Sequence, residues 1–307
     1  MLRGACLLGL LGGCDIVFGL DTVPLAEAPC GPYRTLTPVS IAGVSNPTHF
    51  SITPDGTLAM VVGKDAQGVV RPILLVWDGT TWSPDPTRQV GLAMLVGAHL
   101  APQEKLPDGR GGYTLDPVSP AVFAWLGHPL QTGRYYYSPL AHTWASDTAV
   151  GAFADPDFDV IPGNAVVTPN GNDPTLPTRH VPLTEHTTSA ANTDAILVAA
   201  NSLPAYSLVA SPTRTQLLNA TGLPFDQAVL TDDQQTLVYA AKLAGSFDIF
   251  ASKKGTGFDA GGAVQDMIDT PDHDEVEPWI DATCSRLYFR RVTVGQSGDP
   301  GTIFVAE

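Results

Sequence analysis

The chain has 307 residues, enough to bury a sizeable core, and it is strongly acidic, with 16 Lys and Arg against 31 Asp and Glu and a formal net charge of −15. This charge would repel a phosphate backbone, and no cluster of Lys or Arg reverses it locally, so nucleic acid is excluded as an expected partner. Charged residues make up only 15% of the chain, while 30 Gly and 27 Pro punctuate it. This composition favours many short strands over long helices, and we expect an all-β fold.

The first 14 residues, MLRGACLLGLLGGC, have the pattern of an export signal. Arg3 supplies a positive charge, an apolar run follows from Ala5 to Leu11, and two glycines precede Cys14. The run is too short to cross a bilayer core of about 30 Å, which requires about 20 apolar residues. The sequence therefore predicts a signal peptide over residues 1–13.

The tetrad Leu11-Gly12-Gly13-Cys14 resembles the lipobox of bacterial lipoproteins. In that family a peptidase cleaves before the cysteine, whose sulfur carries a diacylglycerol. The resemblance implies that Cys14 is lipidated, that residues 14–35 form a lipid-anchored N-terminal segment, and that the protein lies in the bacterial cell envelope, periplasmic or at the cell surface. Several acyl chains anchor durably, since each buried CH₂ contributes about 0.8 kcal/mol. An ordinary secretory signal is the alternative.

The chain contains four cysteines, at positions 6, 14, 30 and 284. Removal of the signal and lipidation of Cys14 would leave Cys30 and Cys284 as a pair in an oxidising compartment. We therefore expect a disulfide between them, and two unpaired buried thiols are the alternative. No CxxC or HxxxH spacing accompanies either residue, so a metal site built on these cysteines is not expected.

Three segments share one pattern of a strand, a polar turn and a second strand. They are FSITPDGTLAMVV at 50–62, QAVLTDDQQTLVYA at 227–240 and PWIDATCSRLYFR at 278–290. A further strand is predicted after each of them, at 72–78, 246–251 and 301–306. A repeated unit of strand, turn, strand, loop and strand is what a propeller blade requires.

These repeats resemble the TolB-type, WD-like propeller family, whose motif is approximately D-E-x-x-P-x-[FW]-[ST]-P-D-G, followed later by G-x-x-D-I-[YF]. The match is best in DEVEPWI at 274–280 and GSFDIF at 245–250, and SITPDG at 51–56 matches the turn. DATC at 281–284 and TDDQ at 231–234 replace that turn in the other copies, and 95–225 has no clean copy. At about 40 to 50 residues per blade the length allows five or six blades. The resemblance implies one β-propeller domain over residues 36–307 and favours six blades, and a β-sandwich is the alternative.

The densest charge run of the chain offers the main metal candidates. It comprises Asp266, Asp269, Asp272, His273, Asp274, Glu275 and Glu277. Several carboxylate oxygens there could bind Ca²⁺, with Asp272, Asp274 and Glu275 as candidate ligands. The spacing is not that of an EF-hand, and the family motif places an Asp-Glu pair in this loop. A structural role in capping turns is therefore the favoured interpretation.

Three further sets of residues could carry chemistry, but a structural role is favoured for each of them. They are a His and carboxylate metal site at His180, Glu185 and His186; channel ligands for Ca²⁺, as in lactonase-type propellers, at Asn164, Asn170, Asn172, Asp173 and Asn192; and a sugar-stacking surface at Trp125, Tyr135, Tyr136, Tyr137 and Trp144. No G-x-S-x-G motif for a nucleophilic serine occurs.

The sequence as a whole predicts a monomeric, lipid-anchored envelope protein with no cofactor, whose propeller is a non-catalytic module for binding or scaffolding. Its expected partners are the membrane, through Cys14, and envelope proteins or a glycan. Two alternatives stay open on the same fold. One is a Ca²⁺-dependent hydrolase or lactonase, and the other is a carbohydrate-binding propeller.

Overall fold

The computed structural model describes residues 30–53, 55–89, 97–105, 114–126, 131–138, 143–146, 158–164, 166–169, 177–187, 195–202, 213–219, 224–243, 245–255, 258, 262–263, 268–281, 283–296 and 299–307. These residues form strands, turns and connecting segments. Within these ranges no helix has the length and apolar character needed to cross a bilayer. The expected all-β fold is confirmed.

Five antiparallel sheets form within the described ranges, and four of them consist of consecutive strands. Sheet 1 contains β2 (Ser45–Ile52), β3 (Leu58–Lys64), β4 (Val70–Trp77) and β5 (Trp82–Pro84). Sheet 2 contains β6 (Gly97–Lys105), β7 (Thr114–Leu126), β8 (Gln131–Ser138) and β9 (Thr143–Ser146). Sheet 3 contains β10 (Phe158–Pro162), β11 (Val166–Pro169), β12 (Pro177–Thr187), β13 (Ala195–Ser202) and β14 (Thr213–Asn219). Sheet 4 contains β15 (Phe225–Leu230), β16 (Thr236–Leu243), β17 (Ser246–Lys253) and β18 (Gly262–Ala263).

Sheet 5 joins the two ends of the described chain. It contains β19 (His273–Ile280), β20 (Leu287–Thr293), β21 (Thr302–Ala306) and, at its edge, β1 (Leu36–Pro38). Strand β1 is antiparallel to β21, and the amides of Arg34 and Thr35 both donate to the carbonyl of Glu307, at 2.6 and 3.0 Å. An N-terminal strand therefore completes the last sheet.

The predicted disulfide between Cys30 and Cys284 is present, with Cα atoms 5.4 Å apart. Cys284 lies in the turn between β19 and β20, and Cys30 is buried beside it. The hydroxyl of Tyr33 adds a hydrogen bond of 3.3 Å to the carbonyl of Cys284. The segment before β1 is therefore fixed to sheet 5 by a covalent bond as well as by strand pairing.

Sheets 1 and 4 open with the same hairpin turn, as their repeated sequences predict. In sheet 1 the hydroxyl of Thr53 donates to Asp55 at 2.6 Å and accepts from the amide of Leu58 at 3.1 Å. In sheet 4 Thr231 makes the same 2.6 Å bond to Asp233. A threonine that bridges its own turn in this way satisfies polar groups that the strand pairing leaves over.

Sheet 1 is buried on both of its faces. Alternate residues of β3 point to opposite sides, so Met60 and Val62 pack with Leu100 of sheet 2, while Ala59 and Val61 join the apolar cluster shared with sheets 4 and 5. A two-layer sandwich would leave one face of each sheet in water. Burial on both faces indicates sheets stacked side by side, as in a propeller.

Sheet 3 is joined to sheet 4 at the gap between β10 and β11. The side chain of Asn164 accepts from the amide of Leu230 at 2.7 Å and donates to its carbonyl at 2.6 Å, as a neighbouring strand would. Gly163 lies directly against the carbonyl of Ala228, where any Cβ atom would collide with the backbone. The chain therefore needs a glycine at this close approach.

Candidate functional site at the first strands

The first strands of sheets 1 and 5 carry matching β-bulges. The pairing of β2 with β3 shifts register between Thr48 and Ser51, and that of β19 with β20 shifts after Val276. Within these bulges His49 and Glu277 have φ angles of 53° and 56°, a region that residues other than glycine seldom adopt. A bulge re-aims a side chain, and left-handed backbone costs on the order of 1–3 kcal/mol. Such strain is often found at functional sites, so these two residues define the candidate site.

Glu277 is the most densely bonded carboxylate of the site. Its two oxygens accept a bidentate pair from Arg290, with Nε to Oε2 at 2.9 Å and Nη2 to Oε1 at 2.6 Å. The amide of His49 donates to Oε2 at 2.7 Å, and the imidazole Nε2 lies 3.8 Å from Oε1. Glu277 therefore connects sheet 5 to sheet 1 and holds a negative charge where the first strands meet.

The environment of Glu277 fixes its ionisation. Burial by itself raises the pKa of this carboxyl group, but the positive charges of His49 and Arg290 and their hydrogen bonds outweigh burial and lower the pKa to about 2. Glu277 is thus a carboxylate at every pH at which the protein would work.

A second carboxylate, Asp226, lies next to Glu277. It sits in the register shift of β15 against β16, and its Oδ2 accepts the amide of Glu277 at 3.1 Å. The side chain is half-buried. Burial acts to lower the pKa of the Arg290 guanidinium, but the negative charges of Glu277 and Asp226 outweigh burial and raise it. Sheets 4 and 5 therefore each supply one carboxylate to the same place.

The meeting point of the first strands is filled by buried side chains. Nε2 of His99, on β6, lies 2.8 Å from Oε1 of Gln227, and Nε2 of Gln227 donates to the carbonyl of Pro278 at 3.0 Å. The His99 ring lies 4.9 Å from that of Trp279 and 5.8 Å from that of His49, measured between centroids. These contacts link sheets 2, 4 and 5 to one another. We call His49, His99, Asp226, Gln227, Glu277 and Arg290 the central cluster.

His99 is neutral within this cluster. Burial lowers its pKa, and the nearby positive charge of His49 lowers it further, to about 3, although the hydrogen bond to Gln227 opposes the shift. The exposed fractions of the His49 and Arg290 side chains are 15% and 18%. The central cluster thus combines two buried side chains, His99 and Gln227, with two that solvent reaches, His49 and Arg290. We call the latter two the edge of the cluster.

The arrangement can stabilise positive charge on a bound molecule. A fixed carboxylate in a mostly buried site acts electrostatically without reorganisation, and its effect is larger than it would be in water. The partly exposed His49 and Arg290 can donate hydrogen bonds at the edge.

Sequence reasoning did not single out the central cluster. A usable signal exists: counted from the start of each hairpin turn, at Thr53, Thr231 and Asp281, the fourth preceding residue is His49, Gln227 or Glu277. Polar residues at this shared position of three repeats mark the place where the first strands meet.

The predicted metal candidates take separate structural roles in the fold. Asp272 is exposed, and Oδ1 of Asp274 accepts the amide of Phe247 at 2.9 Å, which ties β19 to β17. No described contact brings Asp272 and Asp274 to one point with Glu275. A metal role for these three residues stays a prediction.

Glu275 is bound by its own neighbours. Its Oε1 accepts from Thr270 Oγ1 at 2.8 Å and from Arg291 Nε at 2.9 Å. Burial raises its pKa, although Thr270 and Arg291 act against this. One of its oxygens also lies with those of Asp248 and Asp269, all within 4.8 Å of one another. This grouping differs from the predicted one.

The other predicted residues are only partly covered by the described ranges. His180 is half-buried on β12, where burial lowers its pKa, and Asn164 joins sheets 3 and 4 as described above. Outside the described residues, or with side chains outside them, lie Cys14, Trp125, Tyr135, Tyr136, Tyr137, Trp144, Asn170, Asn172, Asp173, Glu185, His186, Asn192 and Asp266.

No protein-family model and no curated protein matches the sequence, but solved structures match the fold. A thermostable family-43 glycoside hydrolase matches with a TM-score of 0.51 at 11% identity, over 89% of this chain and 91% of that one. An α-L-arabinofuranosidase from Fusarium graminearum, in complex with an iminosugar inhibitor, matches with a TM-score of 0.50 at 11% identity, over 88% and 96%. TolB from Acinetobacter baumannii matches with a TM-score of 0.42 at 11% identity, over 85% of this chain, which spans only 54% of TolB.

The chain is thus all-β and similar in fold to propeller proteins. The predicted number of six blades is not confirmed, because five sheets form within the described ranges. The prediction of a non-catalytic binding or scaffolding module is wrong: the two fold matches given above with TM-scores of 0.51 and 0.50 are glycoside hydrolases.

Proposed function

We propose that this chain is a carbohydrate-active hydrolase that cleaves glycosidic bonds at the central cluster. The observation that carries the proposal is Glu277, a buried carboxylate kept ionised by Arg290 and His49 in a strained bulge where the first strands meet. The fold likeness to glycoside hydrolases supports the architecture, and the central cluster supports the chemistry.

The proposed architecture is a closed propeller of five blades, one for each sheet. The pairing of β1 with β21 supports closure, since an N-terminal strand completes the last sheet. The disulfide between Cys30 and Cys284 would reinforce the same joint. In such a ring the first strand of every sheet faces the axis, which is where the central cluster would lie.

Glycoside hydrolysis fits the charges of the cluster. Its transition state resembles an oxocarbenium ion, and most of these enzymes use a pair of carboxyl groups. With a pKa of about 2, Glu277 stays ionised and is suited to stabilising positive charge, and not to donating or taking up a proton. Asp226 is the second carboxyl group of the pair, and the edge formed by His49 and Arg290 would orient sugar hydroxyls.

Glu277→Gln and Asp226→Asn are expected to lower sugar release from aryl α-L-arabinofuranosides, aryl β-D-xylosides or arabinan by about 100-fold or more, since each removes charge needed in the transition state. Asp232→Asn is the matched control, because Asp232 is an exposed carboxylate in the turn between β15 and β16. Circular dichroism of each variant reports whether it is folded. A wild-type protein that releases no sugar from this panel, or folded Glu277 and Asp226 variants with wild-type rates, would rule the proposal out.

We also propose that the protein is anchored in the bacterial cell envelope through a lipid on Cys14, which lies outside the described residues. The lipobox pattern at residues 11–14 supports this, and so does the disulfide, because such bonds persist in oxidising compartments outside the cytoplasm.

In cell fractionation the wild-type protein is expected in the membrane pellet, and Cys14→Ser in the soluble fraction, since that serine cannot carry the thioether-linked lipid. Cys6→Ser is the control and should leave the distribution unchanged. Mass spectrometry of the mature N-terminus reads the modification directly. An unmodified chain that still begins at Met1 would contradict the anchor.

A further inference from the structure

Trp77 stands apart from the other exposed apolar side chains. It is 44% exposed at the end of β4, whereas the other large apolar side chains exposed within the described ranges are valines. No described residue accepts a hydrogen bond from its indole N–H. Strand β4 is the third strand of sheet 1, away from the first strands and the central cluster.

The exposed indole is held rigidly. Trp77 pairs across the strands with Trp82, whose ring lies 5.1 Å away at 46° and which is only 5% exposed. The backbone of Trp82 is fixed by the carbonyl of Ser40 at 3.0 Å and the amide of Ala42 at 2.8 Å. A preorganised aromatic ring loses little conformational freedom when a ligand stacks on it.

The turn between β4 and β5, which directly follows Trp77, carries several hydrogen-bonding groups. Oδ1 of Asp78 accepts from the amides of Thr80 and Thr81, both at 2.8 Å, and from the hydroxyl of Thr80 at 2.9 Å. These bonds, led by the Thr80 amide, lower the pKa of Asp78, which therefore stays ionised. The hydroxyls of Ser40 and Thr81 lie 3.3 Å from each other.

We infer that the β4–β5 hairpin carries a second, non-catalytic surface on which a neutral sugar ring of a polysaccharide stacks against Trp77. A sugar ring has one apolar face of C–H groups about as wide as an indole, and its hydroxyl edge would meet Asp78, Ser40 and Thr81. The carboxylate disfavours phosphate and anionic lipid. One ring is far too small for a stable protein interface, which buries about 800 Å² on each partner.

This inference deepens the proposed function and rests on carbohydrate being its ligand, but it does not depend on the hydrolytic step. The surface would hold a polymer on the outer part of sheet 1 while the central cluster acts on a bond elsewhere. Substrates of one sugar unit would not need it.

Native gel electrophoresis through soluble arabinan, xylan or another neutral polysaccharide tests the surface. We expect retardation of the wild-type protein and about tenfold weaker retardation for Trp77→Ala, from loss of aromatic stacking. Trp77→Phe should keep part of the effect. Val70→Ala is the matched control, because Val70 is 40% exposed on the same strand. Trp77→Ala should hydrolyse aryl glycosides at the wild-type rate.

Equal retardation of Trp77→Ala and wild type would overturn the inference, and so would the absence of retardation in every polysaccharide. Failure of the proposed function has a different signature. In that case Trp77-dependent retardation would persist while no aryl glycoside is cleaved by any variant.

Discussion

Loss of the disulfide between Cys30 and Cys284 is expected to lower the free energy of unfolding by about 4 to 5 kcal/mol. The bond closes a loop across 254 positions, and in the chain-entropy model so long a loop removes much of the freedom of the unfolded chain. Urea unfolding of the oxidised and the reduced wild-type protein, followed by circular dichroism, measures the difference.

The conformation of Cys284 calls for a matched pair of variants. Its φ of 58° is left-handed, and Gly56 occupies the same turn position in sheet 1 with a φ of 70°. Cys30→Ala combined with Cys284→Ala keeps the backbone strain that Cys284 already carries, whereas Cys30→Ala with Cys284→Gly relieves it. Both double variants should be much less stable than the oxidised protein, and the glycine variant should be the better of the two. Identical urea midpoints for oxidised and reduced wild type would refute the expectation.

Replacement of Glu277 by alanine is expected to cost about 3 to 5 kcal/mol at neutral pH, because it leaves the mostly buried Arg290 without its bidentate partner. Glu307→Gln is the matched control. Glu307 pairs with Arg286 at 2.8 Å, but both side chains are 50% exposed, and such a pair contributes about 1 kcal/mol or less. Chemical denaturation at pH 7 compares the two variants.

The same carboxylate gives stability a defined pH dependence. The pKa of Glu277 is lowered from 4.5 to about 2 in the folded protein, so its contribution is fully present above about pH 4.5 and is lost as the pH falls towards 2. Between pH 5 and 2.5 the wild-type protein should therefore lose more stability than Glu277→Gln, which has no titrating group at this position. If the two proteins lost stability in parallel as the pH falls, the neighbours of Glu277 would not be lowering its pKa.

The repeats allowed much of the fold to be predicted. Apolar alternation on either side of a Thr-Asp turn gave the hairpins of sheets 1 and 4, and the threonine bonds to Asp55 and Asp233 show why the pattern recurs. The pairing of Cys30 with Cys284 followed from counting cysteines. Sheets 2 and 3 were harder to predict, because residues 95–225 contain no clean copy of the repeat motif. Their strands can pair without it, since pairing requires only backbone groups and an apolar pattern.

The central cluster was harder to predict because it is assembled from distant segments. His49 and Glu277 are 228 positions apart, and they meet only because sheets 1 and 5 are neighbours. Their left-handed bulges leave no glycine in the sequence to mark them. The run from Asp272 to Glu275 was considered as a metal site only because its charges are dense in the sequence. In the structure its carboxylates bind different donors: Asp274 accepts from the Phe247 amide, and Glu275 accepts from Arg291.

The contact of His99 with Gln227 also bears on how a reaction could proceed in this molecule. A polymer cannot be threaded through a centre that is filled by buried side chains. In the proposed hydrolase, the released sugar would have to leave by the mouth through which the substrate entered. Turnover would then be sensitive to accumulated product, which competes for the same opening.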